Sequence, residues 1–339
     1  MPQIHFAPFS RRSLLAAAGA LGLGALVAGC TGRGGPGRER GDGWSFTDDR
    51  NTRVTADGRP TRVVAYIGAA AALHDFGVTD QIVGVFGPTR GKDGGPDPQA
   101  GDLDVNRVTV LGNTYGEFNL EKYAALQPDL LVTNMFQPGV LWYVPDASKD
   151  KVLEFAPSLA ITATRVFLPE PVRRYAELAE ALGADLKSEK VTAAKARFDS
   201  AGEALRTAVK ERAGIKVMAA SARTDMFYVS DPKVYADLSY FRDLGVEFVG
   251  PEKAEADGFW EPVSWENAHK YAADVILLDS RTGSLKPEDM ASMPTWSQLP
   301  AARAGQVTPW QSEPRFSYQG AATALGSLTK AIRGAEKVA

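Results

Sequence analysis

Hydrophobic and polar positions fall into three successive patterns along this 339-residue chain. The first is an apolar run rich in Leu, Ala and Gly, Leu14–Val27. It is too short to cross a ~30 Å hydrocarbon core as a helix. The second, Thr31–Gly43, has almost no apolar side chain and no period. Its many glycines carry the highest ordering entropy, so it is expected to be a flexible tether with a reach of roughly 20 Å. From residue 62 onward, short apolar runs alternate with helical spacing. Strands are expected at Arg62–Tyr66, Gln81–Phe86, Asp129–Thr133 and Leu159–Val166. Helices are expected at Ala69–Phe76 and Asn119–Leu126, with a Gly-, Pro- and Asp-rich loop at Gly87–Pro98.

The middle of the chain reads as helix. Pro171–Leu182 is one pattern, with Pro171 suited to the first helical position. Lys187–Arg212 is a second, with Val191, Ala194, Phe198, Ala201, Leu205, Ala208 and Val209 at a 3–4 spacing. At 1.5 Å per residue it spans ~35–40 Å, enough for a stiff spine between two lobes. After Gly214 the alternation resumes, with strands at Ile215–Ala220, Met226–Ser230 and Ala273–Leu278 and helices at Val234–Leu244 and Gly320–Arg333. Alternation of this kind implies an α/β fold with parallel pairing and crossovers. The expected plan is two Rossmann-like lobes, 44–186 and 214–339, joined by one long backbone helix, 187–213.

Residues 1–29 have the order of a signal peptide: Arg11 and Arg12, the apolar run, then small residues. The twin arginines in Ser10-Arg11-Arg12-Ser13-Leu14-Leu15 favour Tat export. Leu14 and Ala16 stand where that pattern usually has Phe and Lys, which leaves Sec export open. Leu26-Val27-Ala28-Gly29-Cys30 resembles a bacterial lipobox. Cys30 is the only cysteine, so no disulfide can form within the chain. Acylation of Cys30 would leave the protein lipid-anchored on the outer face of the cell membrane, with residues 30–43 as lipidated cysteine and tether.

Charge and histidine content narrow the function. Residues 1–29 carry two arginines and no acid, so their removal takes the formal charge from −3 to −5. A mildly acidic body argues against a nucleic-acid partner. Only His5, His74 and His269 are present. Capture of a bare transition metal draws on imidazole and carboxylate clusters, and that constellation is thin here. The sequence holds no P-loop, nucleophile elbow or HExxH.

Four stretches carry a family resemblance. They are Asn119-Leu120-Glu121 with Ala125–Leu131, Val263-Ser264-Trp265-Glu266-Asn267, Tyr271–Ile276, and Trp296–Val307. In this order, they resemble the periplasmic binding proteins with a single backbone helix (class III), which serve importers of iron-siderophores, haem and vitamin B12. Within that family, Gly258-Phe259-Trp260-Glu261-Pro262-Val263-Ser264 resembles the ferric-hydroxamate binders, which set a tryptophan here against the ligand. The arginine that enteric hydroxamate binders carry just before "NLE" is replaced by Leu111–Phe118. The resemblance implies a monomeric, non-enzymatic carrier of a ferric siderophore, without a cofactor of its own, that meets an ABC permease. It also implies that Glu121 and Glu266, each in the first turn of an expected helix, meet arginines of the two permease subunits.

A chelated ferric ion arrives with its coordination already filled. The cleft then needs aromatic walls for the organic shell and donors for its oxygens, set at strand ends. Candidates by position are Arg90, Tyr115, Phe136, Trp142, Tyr143, Arg223, Trp260, Arg281, Trp310, Arg315, Phe316 and Tyr318. Trp296 is expected to pack the second lobe instead. A haem or vitamin B12 carrier of the same fold and, from another class, an exported two-lobed enzyme are the alternative readings.

Overall fold

The computed structural model describes residues 43–255 and 258–339, all within one compact unit, Gly41–Ala339. Cys30, the expected signal peptide and nearly all of the tether lie outside the described residues. The body opens with an antiparallel hairpin, β1 (Trp44–Thr47) and β2 (Arg53–Ala56). It is clipped to the first lobe by the Trp44 indole, which donates to the Ala181 carbonyl at 2.8 Å, and by Arg174, which pairs with Asp49 at 2.6 Å.

The first lobe is an all-parallel sheet in the order β5-β4-β3-β6-β7. Its strands are β3 (Val63–Tyr66), β4 (Ile82–Phe86), β5 (Thr109–Val110), β6 (Leu130–Met135) and β7 (Ser158–Thr162). Continuous apolar runs such as Val63-Val64-Ala65-Tyr66 suit strands covered on both faces. The first-lobe helices are α1 (Ile67–Asp75), which follows β3 without a loop, α2 (Leu120–Ala125), α3 (Lys149–Phe155) and α4 (Pro169–Ala181). Asn119 caps α2 by accepting from the Lys122 N–H at 2.8 Å. Several expected boundaries move. The strand expected to reach Val166 ends at Thr162, because Arg165 adopts a left-handed φ of 57°. The helix expected from Pro171 begins at Pro169, itself a proline at the first helical position.

The long helix α5 (Glu189–Glu211) leads to the second lobe. There the strands are β8 (Lys216–Ala222), β9 (Phe227–Ser230), β10 (Glu247–Phe248), β11 (Trp260–Val263), β12 (Val275–Asp279) and β13 (Val307–Trp310). The path is β11-β9-β8-β12-β13, with β10 beside the start of β8. This sheet is mixed rather than parallel throughout. The loop after β8 is only Arg223–Met226, too short for a crossover, so β9 turns back antiparallel. Helix α6 (Ala236–Asp243), the short turns α7 (Pro287–Met290), α8 (Pro294–Gln298) and α9 (Pro300–Arg303), and the closing α10 (Tyr318–Gly334) complete the body. α10 packs along α5, so the spine is a helix pair. One core runs from the first sheet through this pair onto the second sheet. A smaller cluster that includes Met218, Ile276 and Trp296 covers the other face.

Candidate functional site

In parallel sheets, ligand sites lie beyond the carboxyl ends of the strands. Here the ends of β3 and β6 in the first lobe meet those of β12 and β13 in the second. Tyr66 ends β3, and Phe136 and Trp142 follow β6. Asp279 ends β12, Arg281 lies two residues on, and Gln311–Ser317 follow β13.

The floor of the cleft is a buried polar network. Arg281 pairs with Asp279 through Nε and Nη2, at 3.0 and 2.8 Å, and with Glu313 through Nη1 at 2.5 Å. Glu313 also accepts from the Trp142 indole N–H at 3.2 Å and from the Tyr66 hydroxyl. Burial, and then the Glu313 carboxylate, push the Tyr66 phenol well above its ordinary value, so its single proton stays in this bond. Gln99 reaches the same hydroxyl at 2.5 Å. With the phenol proton committed to Glu313, the Gln99 amide must turn its NH2 toward Tyr66, which also gives that buried nitrogen a partner. Asp279 is held by the Ser284 and Ser312 hydroxyls at 2.9 and 3.1 Å as well. Burial alone would raise the Asp279 carboxyl, but Arg281 and these donors outweigh it and hold it below the usual range.

Two adjoining cavities lie over this floor. The larger, about 280 Å³, is lined by Arg223, Tyr228, Tyr235, Glu255, Trp260 and Arg281, among others. The smaller, about 70 Å³, joins Phe136 and Trp142 of the first lobe to Phe259, Trp260, Arg281 and Glu313 of the second. Trp142 packs on Phe136 at 4.9 Å and on Tyr143 at 5.7 Å between ring centroids. Tyr115, 62% exposed, packs on both Trp142 and Tyr143 and forms an open aromatic lip. Tyr143 adopts a φ of 62°, an uncommon conformation that directs chain and ring at this lip. Trp310 is buried and anchored, its indole donating to Asp237 at 2.7 Å.

The structure thus gathers Tyr115, Phe136, Trp142, Tyr143, Arg223, Trp260, Arg281 and Trp310 around the cleft. Four other candidates do not line it. Arg90 turns back into its own loop, donating to Asn106 Oδ1 at 2.7 Å and the Gly94 carbonyl at 3.1 Å. Phe316 is buried against Tyr175, and Tyr318 packs between Phe76 and Phe198 at the start of α10. Arg315 reaches across to Asp75 at 3.2 Å and passes so close to Gly101 that a Cβ there would stand 2.0 Å from its Nη1. Ser317 donates to the same Asp75 at 2.5 Å, so the loop after β13 is tied to the first lobe. Sequence reading missed Tyr66, Tyr235, Asp279 and Glu313. Asp279 and Glu313 have a detectable signal in retrospect: acids two residues from, or in the same strand-end loop as, a candidate arginine. Among the described residues no group of three or more His, Cys, Asp or Glu side chains is arranged to hold a metal ion.

This architecture is that of the class III periplasmic binding proteins: two α/β lobes, a long backbone helix, and a cleft at the strand ends. The family model described as periplasmic binding protein matches residues 63–314, and the chain belongs to that family. Among solved structures it is similar to DesE, a ferric-siderophore receptor protein from Streptomyces coelicolor. That similarity is 51% identity and a TM-score of 0.84 over 87% of this chain and all of that one. It is 24% identical over 287 residues to the Fe(3+)-citrate-binding protein YfmC of Bacillus subtilis, covering 83% of this chain and 84% of that protein. The iron uptake ABC transporter substrate-binding protein PiuA from Streptococcus pneumoniae shares the fold. Its identity is 18% and its TM-score 0.63, over 85% of this chain and 98% of that one.

Proposed function

We propose that this protein is an extracytoplasmic carrier, not an enzyme, that holds a ferric siderophore of the hydroxamate type between its lobes and delivers it to an ABC permease. The observation that carries the reading is the cleft itself: an aromatic wall and an arginine-bearing wall facing each other at the strand ends, in a chain half identical to a ferric-siderophore receptor. The hydroxamate assignment is supported by Trp260, which lines both cavities within the stretch that resembles hydroxamate binders. The permease reading is supported by Glu121 and Glu266, which are both exposed, one on each lobe. Since Asn119 already supplies the side-chain cap of α2, Glu121 is available for another role. Lipidation of Cys30 after Tat export, with the tether behind it, would keep the carrier beside its importer.

Intrinsic tryptophan fluorescence provides the test. Trp142 and Trp260 face the cavities, so a ferric tris-hydroxamate should quench emission at micromolar concentration or below, with catecholates weaker. Quenching by haem alone would replace this reading with that of a haem carrier.

A further inference from the structure

We infer that the cleft accepts ferric complexes of zero or positive net charge and rejects anionic ones, and that Glu313 is the residue that sets this limit. The inference rests on the ferric-siderophore reading above and specifies the ligand by its charge.

Arg281 is the most deeply placed cation of the cleft. An arginine at the floor of a binding site ordinarily invites anionic oxygens. Here the invitation is cancelled twice. Asp279 takes two of its nitrogens, and Glu313 takes a third. The residues lining the two cleft cavities include two guanidinium groups, Arg223 and Arg281, against three carboxylates, Glu255, Asp279 and Glu313. The lining therefore carries a net charge of −1. Arg165, exposed over the Phe259 ring at 5.6 Å, lines neither cavity.

The two carboxylates on Arg281 are not equivalent. Asp279 is wholly buried, is saturated by Arg281 and two serine hydroxyls, and belongs to the end of β12. Glu313 stands in the smaller cavity and bridges the lobes, held by Arg281 on one side and by Tyr66 and Trp142 on the other. An anionic ligand that sought Arg281 would have to displace Glu313. That would strand a buried carboxylate away from three donors, which is costly. A ligand that brings no negative charge leaves the network intact. Three hydroxamates neutralise ferric iron, whereas three catecholates leave the complex trianionic, and citrate complexes keep ionised carboxylates. Charge alone then separates these iron complexes.

The test is a series with one iron core and three charges: a linear ferric tris-hydroxamate ending in a free ammonium, in an N-acetyl group or in an N-succinyl group. Dissociation constants come from tryptophan quenching of the full body. The cationic and neutral forms should bind wild-type protein more tightly than the anionic form, by about tenfold or more for each unit of charge at this depth. Glu313→Gln keeps the shape and removes one negative charge, so it should tighten the anionic form and shrink the preference about tenfold. Equal affinity for the three forms in wild type, or an unchanged ratio in Glu313→Gln, overturns the inference and leaves the ferric-siderophore reading standing. Failure of all three forms to bind refutes that reading instead. Should Glu313→Gln fold poorly, Glu313→Met, uncharged and of similar length, carries the same test with the same expected shift.

Discussion

Arg90 and Arg281 occupy matching places in the two lobes, each shortly after a central parallel strand, yet only one faces the cleft. Arg90 lies in a long loop that supplies its own acceptors, Gly94, Val105 and Asn106, and its guanidinium holds that loop in shape. Arg281 lies two residues beyond β12, and the partners of its guanidinium are Asp279 and Glu313 at the floor. The contrast extends to the whole cleft. The first-lobe side is aromatic, with Tyr115, Phe136, Trp142 and Tyr143, whereas the second-lobe side carries the charges as well as Trp260. A strand-end arginine faces the cleft when its acceptors lie at the cleft floor and turns away when its own loop supplies them.

The largest expected effect breaks the symmetry that remains between the lobes. Glu121→Ala with Glu266→Ala should abolish siderophore uptake by cells while ligand affinity and thermal stability stay near wild type. Normal uptake by the double variant would contradict the docking role. Next is Arg281→Ala, which leaves Asp279 and Glu313 buried without their cation. It should cost about 3 kcal/mol of unfolding free energy by denaturant titration. Arg90→Ala, by comparison, should cost less than about 1 kcal/mol and leave siderophore affinity unchanged. If the two arginine variants lose equal stability, the difference between the lobes has been misread.

Trp142→Ala tests the aromatic side. It removes a ring from the wall and one donor from Glu313, and should weaken ferric hydroxamate binding about tenfold to a hundredfold in equilibrium titration. A pH-dependent effect concerns Asp237, which anchors Trp310. Burial, against the pull of the Trp310 indole, pushes its carboxyl up to about 6. An unfolded aspartate titrates near ~3.9, so between these values the folded state binds the proton more tightly. The group's contribution to stability is full below about pH 4 and is lost as pH rises through about 6. Asp237→Asn cannot titrate. The stability of wild type relative to this variant should therefore fall by up to about 3 kcal/mol between pH 4 and pH 7, by thermal unfolding at each pH. A difference independent of pH would contradict the assignment.

Much of the architecture was legible because continuous apolar strands and a 23-residue amphipathic helix leave few alternatives. β1 and β2 escaped notice because they are four-residue, partly exposed strands whose alternation is weak. The antiparallel β9 is already implied by the five residues between the expected strands Ile215–Ala220 and Met226–Ser230, too few for a parallel crossover. In the site, residue type and strand-end position found the aromatic wall and Arg281. They did not single out Glu313 or Asp279, because an acid near a candidate arginine becomes part of the site only through the contacts of the folded floor. Nor could they show that Phe316 and Tyr318 pack inward, because an aromatic before a helix serves core and cleft equally well.

The anomalous signal of iron in a crystal grown with a ferric tris-hydroxamate tests the central claim most directly. One peak is expected between the Phe136–Trp142 wall and the Trp260–Arg281 wall, with the metal wrapped by ligand oxygens and no protein side chain in its coordination sphere. A peak outside this cleft, or iron bound directly by a protein side chain, would contradict it.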